Sequence, residues 1–234
     1  MRASRAGQAG MTLIEIMIAL AILGLMMTIA WKTITNTSNA RRTFVAIEER
    51  NHEIRVALAR VAADLESAYL SLNEDSNADV SQRRTLFVGK SGGDVPELRF
   101  SSLCHTPLWA DANESEQTQI AYYAAPDRDD PSKKNWLRRE LRRPSNEPWK
   151  EQPADIDVLL RDVDKVTFDY FDWKDADWQD SWDSTSSDAE KNRLPSRVRI
   201  TVTFKNPRGE EVKLTTQARI LMQEPLNFQT SANE

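Results

Sequence analysis

The sequence predicts an α+β protein in which one long N-terminal helix packs on an antiparallel β-sheet domain. Residues 11–31 form an apolar run of membrane length, and residues 32–73 continue it with apolar side chains at helical spacing. Residues 84–222 contain short segments that alternate as strands do. Because strands follow the helix and do not alternate with further helices, α+β is favoured over β/α units. About 140 residues suffice for a single core.

The apolar run is predicted to be a transmembrane helix. It covers 21 residues from Met11 to Trp31, and its plainly polar members are Thr12, Glu15 and Thr28. A helix of this length measures roughly 31 Å, which is enough to cross the apolar core of a bilayer. Trp31 and Lys32 end the run in the manner of an interfacial anchor.

A basic leader, residues 1–10, precedes the run and contains two arginines and no acidic residue. A secretory signal has a shorter apolar core followed by a small-residue cleavage site, whereas here Ala9 and Gly10 come before the core. An ordinary cleaved signal is therefore disfavoured. An uncleaved anchor gives no account of Glu15, although an ionisable group in an apolar span is costly and by default has a partner.

Gly10 and the residues after it, MTLIE, resemble the class III signal of type IV pilins and of the pseudopilins of type II secretion. The resemblance implies that a prepilin peptidase at the bacterial inner membrane cuts between Gly10 and Met11 and N-methylates Met11. Glu15 then becomes the fifth mature residue. The family usually has Phe where this chain has Met11. The resemblance also implies a single-pass protein with a periplasmic C-terminal domain and a pilin-like fold.

Glu15 has a physical role consistent with this resemblance. After cleavage the Met11 amine is a cation at the edge of the apolar layer, and each charge is costly alone. The amine and the Glu15 carboxylate can pair between neighbouring subunits in a bundle of such helices. Snorkelling of Glu15 to the lipid headgroups is the alternative. Charge counting leaves the orientation open, because basic residues lie on both sides of the span.

Beyond the span, residues 32–73 are predicted as an amphipathic continuation of the helix. Residues 33–39 are polar, so a bend or a frayed turn is an open alternative there. A stripe at 3-4 spacing then follows, formed by Phe44, Ile47, Asn51, Ile54, Leu58, Val61, Leu65, Ala68 and Leu72. Such a stripe packs either on the chain's own sheet or in a coiled coil, and the resemblance implies some of both.

The strand-rich part contains candidate strands at residues 86–88, 98–100, 119–124, 136–142, 163–173 and 198–204. The clearest hairpin joins the last of these to residues 212–220 through Asn206-Pro207-Arg208-Gly209, a sequence that suits a type I turn. The tail, residues 223–234, is predicted to be flexible, and weak docking through Leu226 and Phe228 is the alternative.

Five segments of this part are similar, in order and character, to the J-type minor pseudopilins of type II secretion. They are ELRF at 97–100, IAYY at 120–123, WLRRELRR at 136–143, LLRDVDKVTFDYFD at 159–172 and LPSRVRITVTF at 194–204. The resemblance implies a structural subunit at the pseudopilus tip that helps to initiate assembly and protein export. Its implied partners are the I-type and K-type minor pseudopilins, the major pseudopilin and, left open, the H-type. A minor pilin of a type IV pilus or competence system is the alternative.

An acidic segment rich in tryptophan raises the question of a metal. Asp172, Asp175 and Asp177 offer the oxygen ligands that Ca²⁺ prefers, and they are the candidate ligands. The segment lacks the EF-hand arrangement of Asp, Gly and closing Glu. A solvated acidic loop whose tryptophans pack on the domain or on a partner is the favoured interpretation.

A basic stretch formed by Arg138, Arg139, Arg142 and Arg143 raises the question of nucleic acid. Glu140 interrupts it, and the formal net charge of the chain is −5. A strand edge guarded by charge is the favoured interpretation, and no nucleic acid partner is expected.

An enzymatic role has little support in the sequence. Cys104 and His105 are adjacent, and neighbouring side chains seldom point at each other as a nucleophile and its base must. Metal-binding, phosphate-binding and nucleophile-elbow motifs are missing from the sequence. We therefore expect no catalytic residue and no cofactor.

Overall fold

The computed structural model describes residues 11–72, 85–106, 116–142, 148–187, 190–206 and 208–227. Contacts divide the chain into two compact units, the first ending at Glu49 and the second beginning at Arg50. Within the described residues, one helix and ten strands follow each other in the order α1 (Leu13–Glu66), β1 (Phe87–Gly89), β2 (Leu98–Ser102), β3 (Thr118–Pro126), β4 (Lys134–Leu141), β5 (Asp155–Leu160), β6 (Lys165–Asp172), β7 (Asp177–Gln179), β8 (Trp182–Asp183), β9 (Arg197–Lys205) and β10 (Glu211–Arg219).

The first unit contains the N-terminal part of α1, whose large apolar side chains are exposed. Among the described residues, α1 is the one helix long and apolar enough to cross a membrane. It continues without a break through residues 33–39, so the bend or frayed turn is not realised. The hydroxyls of Thr33 and Thr35 donate to the carbonyls of Ile29 and Trp31, one turn earlier, at 2.9 and 3.1 Å. These hydroxyls therefore bond within the helix and do not compete with it.

In the second unit, α1 contributes one side to the hydrophobic core. Its buried residues are Ile54, Ala57, Leu58, Val61, Asp64 and Leu65. Both sheets supply most of the rest of this core, together with residues outside the strands such as Val163 and Leu194. Burying one Leu, Ile or Val side chain stabilises the fold by about 1.5–3 kcal/mol relative to leaving it exposed. The buried residues of α1 therefore supply much of the free energy that holds this part of the helix against the sheets.

The helix ends at Glu66, six residues before Leu72, where the periodic stripe ends, so the predicted C-terminal end is wrong. Ala68, Tyr69 and Leu70 are all buried, and three consecutive residues cannot share one helix face. The chain there runs beside β2 instead, and the Tyr69 amide donates to the Ser101 carbonyl at 3.0 Å. The Ser102 hydroxyl donates to the Asp64 carbonyl at 2.8 Å, which satisfies one of the helix's terminal acceptors.

The strands form two antiparallel sheets, which confirms the predicted α+β class. The first has the order β5-β4-β3-β2-β1-β8 and the second has the order β10-β9-β6-β7. The alternation predicted for residues 163–173 and 198–204 is confirmed, because β6 and β9 bury every second side chain. Their buried faces join the core that α1 covers.

The predicted hairpin between β9 and β10 is confirmed. The strands pair from Arg197 opposite Arg219 to Lys205 opposite Glu211 without a register shift. The Gly209 amide donates to the Asn206 carbonyl at 2.8 Å, the bond that closes a β-turn. Gly209 has φ of 81°, a left-handed value that glycine adopts without strain. Pro207, on which the predicted turn type depends, lies outside the described residues.

Three strands, β5, β7 and β8, were not predicted. Strand β5 lies at an edge of the first sheet, and its apolar residues Ile156 and Val158 are about half exposed. Asp155 and Asp157 alternate with them, and aspartate disfavours strands. Ion pairs between these two aspartates and arginines of the β4 segment offset this unfavourable strand preference. The closest of them joins Arg142 Nε to Asp155 Oδ2 at 2.5 Å.

The beginning of the predicted flexible tail is ordered. Leu226 exchanges backbone hydrogen bonds with the chain after α1, donating to the Leu70 carbonyl at 2.8 Å and accepting from the Leu72 amide at 2.9 Å. This parallel bridge pairs Ser71 with Leu226, so the docking alternative holds for Leu226. Phe228 and the residues after it lie outside the described residues.

Replacing Gly89 by alanine is expected to destabilise the second unit by about 1–3 kcal/mol, the usual cost of overpacking a core. A Cβ at Gly89 would lie 1.9 Å from the hydroxyl oxygen of Tyr170, a fully buried side chain. Urea unfolding of the full chain in detergent, followed by tryptophan fluorescence, measures the change. Gly24→Ala is the control, because nothing lies within 4 Å of its added Cβ. A Gly89→Ala variant as stable as the control would contradict the expectation.

Candidate functional site

The N-terminal end of α1 carries the first candidate site. Thr12 precedes the helix, and its amide and hydroxyl donate to Glu15 Oε2 at 3.0 and 3.2 Å. In return the Thr12 hydroxyl oxygen accepts from the Glu15 amide at 3.4 Å. This is a capping box, in which the first and fourth residues of a T-x-x-E sequence satisfy each other's amides. Glu15 therefore has hydrogen-bond partners within its own chain, a role that the sequence analysis missed although the T-x-x-E pattern was present.

The remaining residues of the predicted processing site are placed only in part. Met11 is the first described residue and is 73% exposed, while Gly10 lies outside the described residues. Cleavage at this bond and methylation of Met11 therefore stay predictions. Most apolar side chains from Leu13 to Ile29 are more than half exposed, so this surface requires a membrane or neighbouring helices to cover it.

A buried polar cluster joins α1 to the first sheet, and it consists of Asp64, Tyr122, Arg138, Glu140 and His105. Asp64 Oδ2 accepts from the Tyr122 hydroxyl and from Arg138 Nε, both at 2.5 Å. Arg138 Nη1 donates to Glu140 Oε2 at 2.6 Å, and Glu140 Oε1 lies 2.7 Å from His105 Nδ1. The side chains of Asp64 and Arg138 are each only 2% exposed.

The charges of this cluster stabilise one another. Burial alone lowers the pKa of the Arg138 guanidinium, but the hydrogen bonds to Asp64 and Glu140 outweigh it and raise that pKa. Burial alone raises the pKa of the Glu140 carboxyl, and the hydrogen bonds from Arg138 and His105 bring it below its ordinary value. Burial, together with the adjacent Asp64 charge, raises the pKa of the Tyr122 hydroxyl. Arg138 is thus cationic and Glu140 anionic at neutral pH.

Asp64 was not singled out by the sequence analysis, which placed it off the apolar stripe. A signal was available, because Asp64 lies three residues after Val61 and seven after Ala57, on the same face. Because a buried charge requires a partner, Asp64 and Arg138 fix which side of α1 meets β3 and β4. The cluster thus positions the helix on the sheet.

Cys104 and His105 do not form a nucleophile and base. His105 Nδ1 faces Glu140, whereas Cys104 Sγ accepts a long hydrogen bond from Arg138 Nη2 at 3.8 Å. Burial and the nearby Asp64 carboxylate raise the pKa of the Cys104 thiol to about 11. The thiol is therefore protonated at neutral pH and is a poor nucleophile.

The basic stretch does not guard a strand edge, so that interpretation is wrong. Strand β4 lies inside the first sheet, between β3 and β5. Arg138 is buried against two carboxylates, Arg139 donates to the carbonyls of Lys150 and Gln152, and Arg142 pairs with Asp155. Arg143 lies outside the described residues. The three described arginines therefore bind carboxylates and carbonyls of their own unit and do not form a free cationic surface.

The candidate calcium ligands lie in the hairpin of β6 and β7. Asp172 is opposite Asp177, and Asp175 is in the turn between them. Both oxygens of the buried Asp172 carboxylate accept from Arg193 at 2.9 Å, and Oδ1 also accepts from the Lys174 amide. The hydrogen bonds from Arg193 hold the pKa of the Asp172 carboxyl below its ordinary value. Asp172 thus fastens the hairpin to Arg193, and no group of three metal-ligating side chains occurs among the described residues.

Comparison with protein families gives two matches on separate parts of the chain. The family described as "Type II secretion system (T2SS), protein J" matches residues 32–212. The prokaryotic N-terminal methylation motif matches residues 5–31, which include Gly10, Met11 and Glu15. No curated protein shows significant sequence similarity to the chain.

Two solved structures are similar to the chain at low sequence identity. One is a chain of the GspK-GspI-GspJ complex from the type 2 secretion system of enterotoxigenic Escherichia coli, with 14% identity and a TM-score of 0.48. That match covers 73% of this chain and 97% of the other. The second is a type IV-like pilin from Thermus thermophilus, with 9% identity, a TM-score of 0.42 and coverage of 73% and 94%.

Proposed function

The chain belongs to the type II secretion system protein J family, and we propose that it assembles as a tip subunit of the pseudopilus. It is a minor pseudopilin with a structural role in protein secretion. The observation that carries the proposal is the occurrence of the family's domain and a methylation motif in one chain. The alternative of a minor pilin in a type IV pilus or competence system has no comparable support.

Maturation is proposed to begin at the inner membrane. A prepilin peptidase would remove residues 1–10, cutting after Gly10, and would methylate the new N-terminus at Met11. The methylation motif over residues 5–31 supports this step. The apolar part of α1 would hold the protein in the membrane, with the second unit in the periplasm. The exposure of its apolar side chains supports the anchoring.

Assembly is proposed to exchange one partner of Glu15 for another. In the single chain the carboxylate closes the capping box with Thr12. In the assembled bundle it would pair with the Met11 amine of a neighbouring subunit, in an apolar environment where both charges need compensation. I-type and K-type minor pseudopilins are the proposed neighbours, since the similar structure contains GspK and GspI together with GspJ. The major pseudopilin would continue the fibre, and an H-type contact remains part of the proposal.

Co-expression with a prepilin peptidase is expected to remove the ten residues before Met11 and to add one methyl group to the new N-terminus. Intact-mass spectrometry of the purified chain measures both changes. Gly10→Leu is the matched control, because it alters the residue before the cut and leaves the apolar run unchanged. A chain that keeps Gly10 joined to Met11 in the presence of an active peptidase would contradict the proposal.

A further inference from the structure

The outer side of the second sheet carries a concentration of positive charge, here called the basic face. Strand alternation turns these side chains away from the core that Val166, Phe168 and Ile200 enter. Its cationic side chains are Lys165, Arg197, Arg199, Lys205, Lys213 and Arg219, and its strand carboxylates are Asp169 and Glu211. The chain as a whole has a net charge of −5, so its charges are segregated.

One end of the basic face is a rigid array of arginines on aromatic rings. The Arg199 guanidinium lies 3.9 Å from the centre of the Trp178 ring, and that of Arg197 lies 4.8 Å from the Phe171 ring. The two rings meet edge to face at 5.2 Å. Cation–π contacts of this kind hold the guanidinium groups in place before any partner arrives, which lowers the entropic cost of binding. Arginine and tryptophan are also the residues most enriched at interface hot spots.

The other end of the basic face is concave. A cavity of about 410 Å³ is lined by the three lysines Lys165, Lys205 and Lys213 and by the hydroxyl-bearing side chains of Thr167, Thr201 and Thr203. Asp164 and Glu211 also line the cavity, and Glu211 Oε1 lies 3.2 Å from Lys213 Nζ, so the cations exceed the carboxylates there by one. Ammonium and hydroxyl donors around one depression suit a carboxylate, which accepts several hydrogen bonds at once.

We propose that the basic face docks an acidic segment of a partner protein, whose carboxylates occupy the lysine-lined cavity and meet the arginine array. Stacked nucleic acid bases fit less well, because guanidinium groups lie over the rings of Phe171 and Trp178. A symmetric contact with a second copy would place cations against cations. A flat anionic lipid surface fits less well, because its headgroups would not enter the concave, lysine-lined end of the face.

The dimensions of the face indicate a reversible contact. Nine-residue strands are about 30 Å long and neighbouring strands are about 4.8 Å apart, so the face covers only a few hundred Å². Stable interfaces bury about 800 Å² on each partner. Association would therefore be fast, weak and sensitive to salt. This inference goes beyond the proposed function and does not depend on processing or on Glu15.

The test measures the binding of a fluorescently labelled oligoglutamate peptide to the full chain in detergent micelles by anisotropy. The face variant, Lys165→Glu with Lys213→Glu, is expected to bind about tenfold or more weakly, a loss of about 1.4 kcal/mol. Both lysines are exposed. The control variant, Arg128→Glu with Lys191→Glu, makes the same charge change at exposed positions outside the face and is expected to bind within about twofold of the wild type. Tryptophan fluorescence and circular dichroism verify that both variants fold.

Several outcomes would overturn the proposal. Equal losses in both variants would show that total charge, not the face, binds the peptide. Tighter binding of single-stranded DNA or phosphatidylglycerol vesicles than of oligoglutamate would assign the face to a nucleic acid or a membrane. Self-association abolished by the face variant would assign it to a second copy. If the double variant does not fold, Lys213→Glu on the edge strand β10 replaces it and must still weaken binding.

Discussion

Replacing Arg138 by methionine is expected to lower the free energy of unfolding of the second unit by about 3–5 kcal/mol, the usual cost of removing one partner of a buried ion pair. The variant leaves the Asp64 and Glu140 carboxylates in the interior without the guanidinium that now contacts both. The Tyr122 hydroxyl continues to donate to Asp64, and Arg60 Nε stays 3.3 Å from Asp64 Oδ1. The Arg60 side chain is half exposed, so this solvent-screened pair compensates the buried charge only in part. Since small domains are stable by only about 5–15 kcal/mol, this loss is a large share of the total.

Urea unfolding of the full chain in detergent measures this loss, with Lys134→Met as the matched control. Lys134 lies on the same strand and pairs with Asp94 at 2.5 Å, but both side chains are at least half exposed. Exposed pairs contribute about 0–1 kcal/mol, so the control is expected to change little. Adding Asp64→Leu and Glu140→Leu to Arg138→Met is expected to recover stability, because buried ion groups are often replaceable by apolar ones. Equal effects of Arg138→Met and Lys134→Met would refute the role assigned to the cluster.

Replacing Glu15 by glutamine is expected to leave removal of residues 1–10 intact and to reduce incorporation into the pseudopilus by about 100-fold or more. Glutamine can replace glutamate in a capping box, so the helix start is preserved. It cannot neutralise the Met11 amine of a neighbour. An unpaired charge in an apolar bundle costs about 3 kcal/mol or more, which corresponds to that loss.

Incorporation is measured by co-purification with the other minor pseudopilins from cells that contain the complete secretion system, and processing is measured by mass spectrometry. Thr12→Val is the matched control, because it removes the capping hydroxyl and keeps the carboxylate. Loss of an N-cap costs about 1 kcal/mol, so incorporation should fall by less than about tenfold. If Thr12→Val abolishes incorporation while Glu15→Gln does not, the capping box and not the intersubunit pair is the function of Glu15.

The sequence predicted the elements whose signals are local. Gly10 and Glu15 lie within the methylation motif that matches residues 5–31, and β6 and β9 alternate strictly because each has one face in the core. The turn after β9 is encoded by Asn206 and Gly209. Strand β5 escaped prediction because its aspartates contradict strand propensity, and its ion pairs with the arginines of the β4 segment are visible only once the strands are paired.

Hydrophobic periodicity and short motifs therefore specify the membrane-length helix, the N-terminal methylation motif and the antiparallel class without reference to the fold. The tertiary structure alone decided that Asp64 is buried against Arg138, that α1 ends at Glu66, and that Leu226 is held by the chain after the helix. It also decided that β4 is an interior strand. In each case the stabilising partner is distant in the sequence, and a hydrogen bond or ion pair across that distance overrides the local preference of the chain.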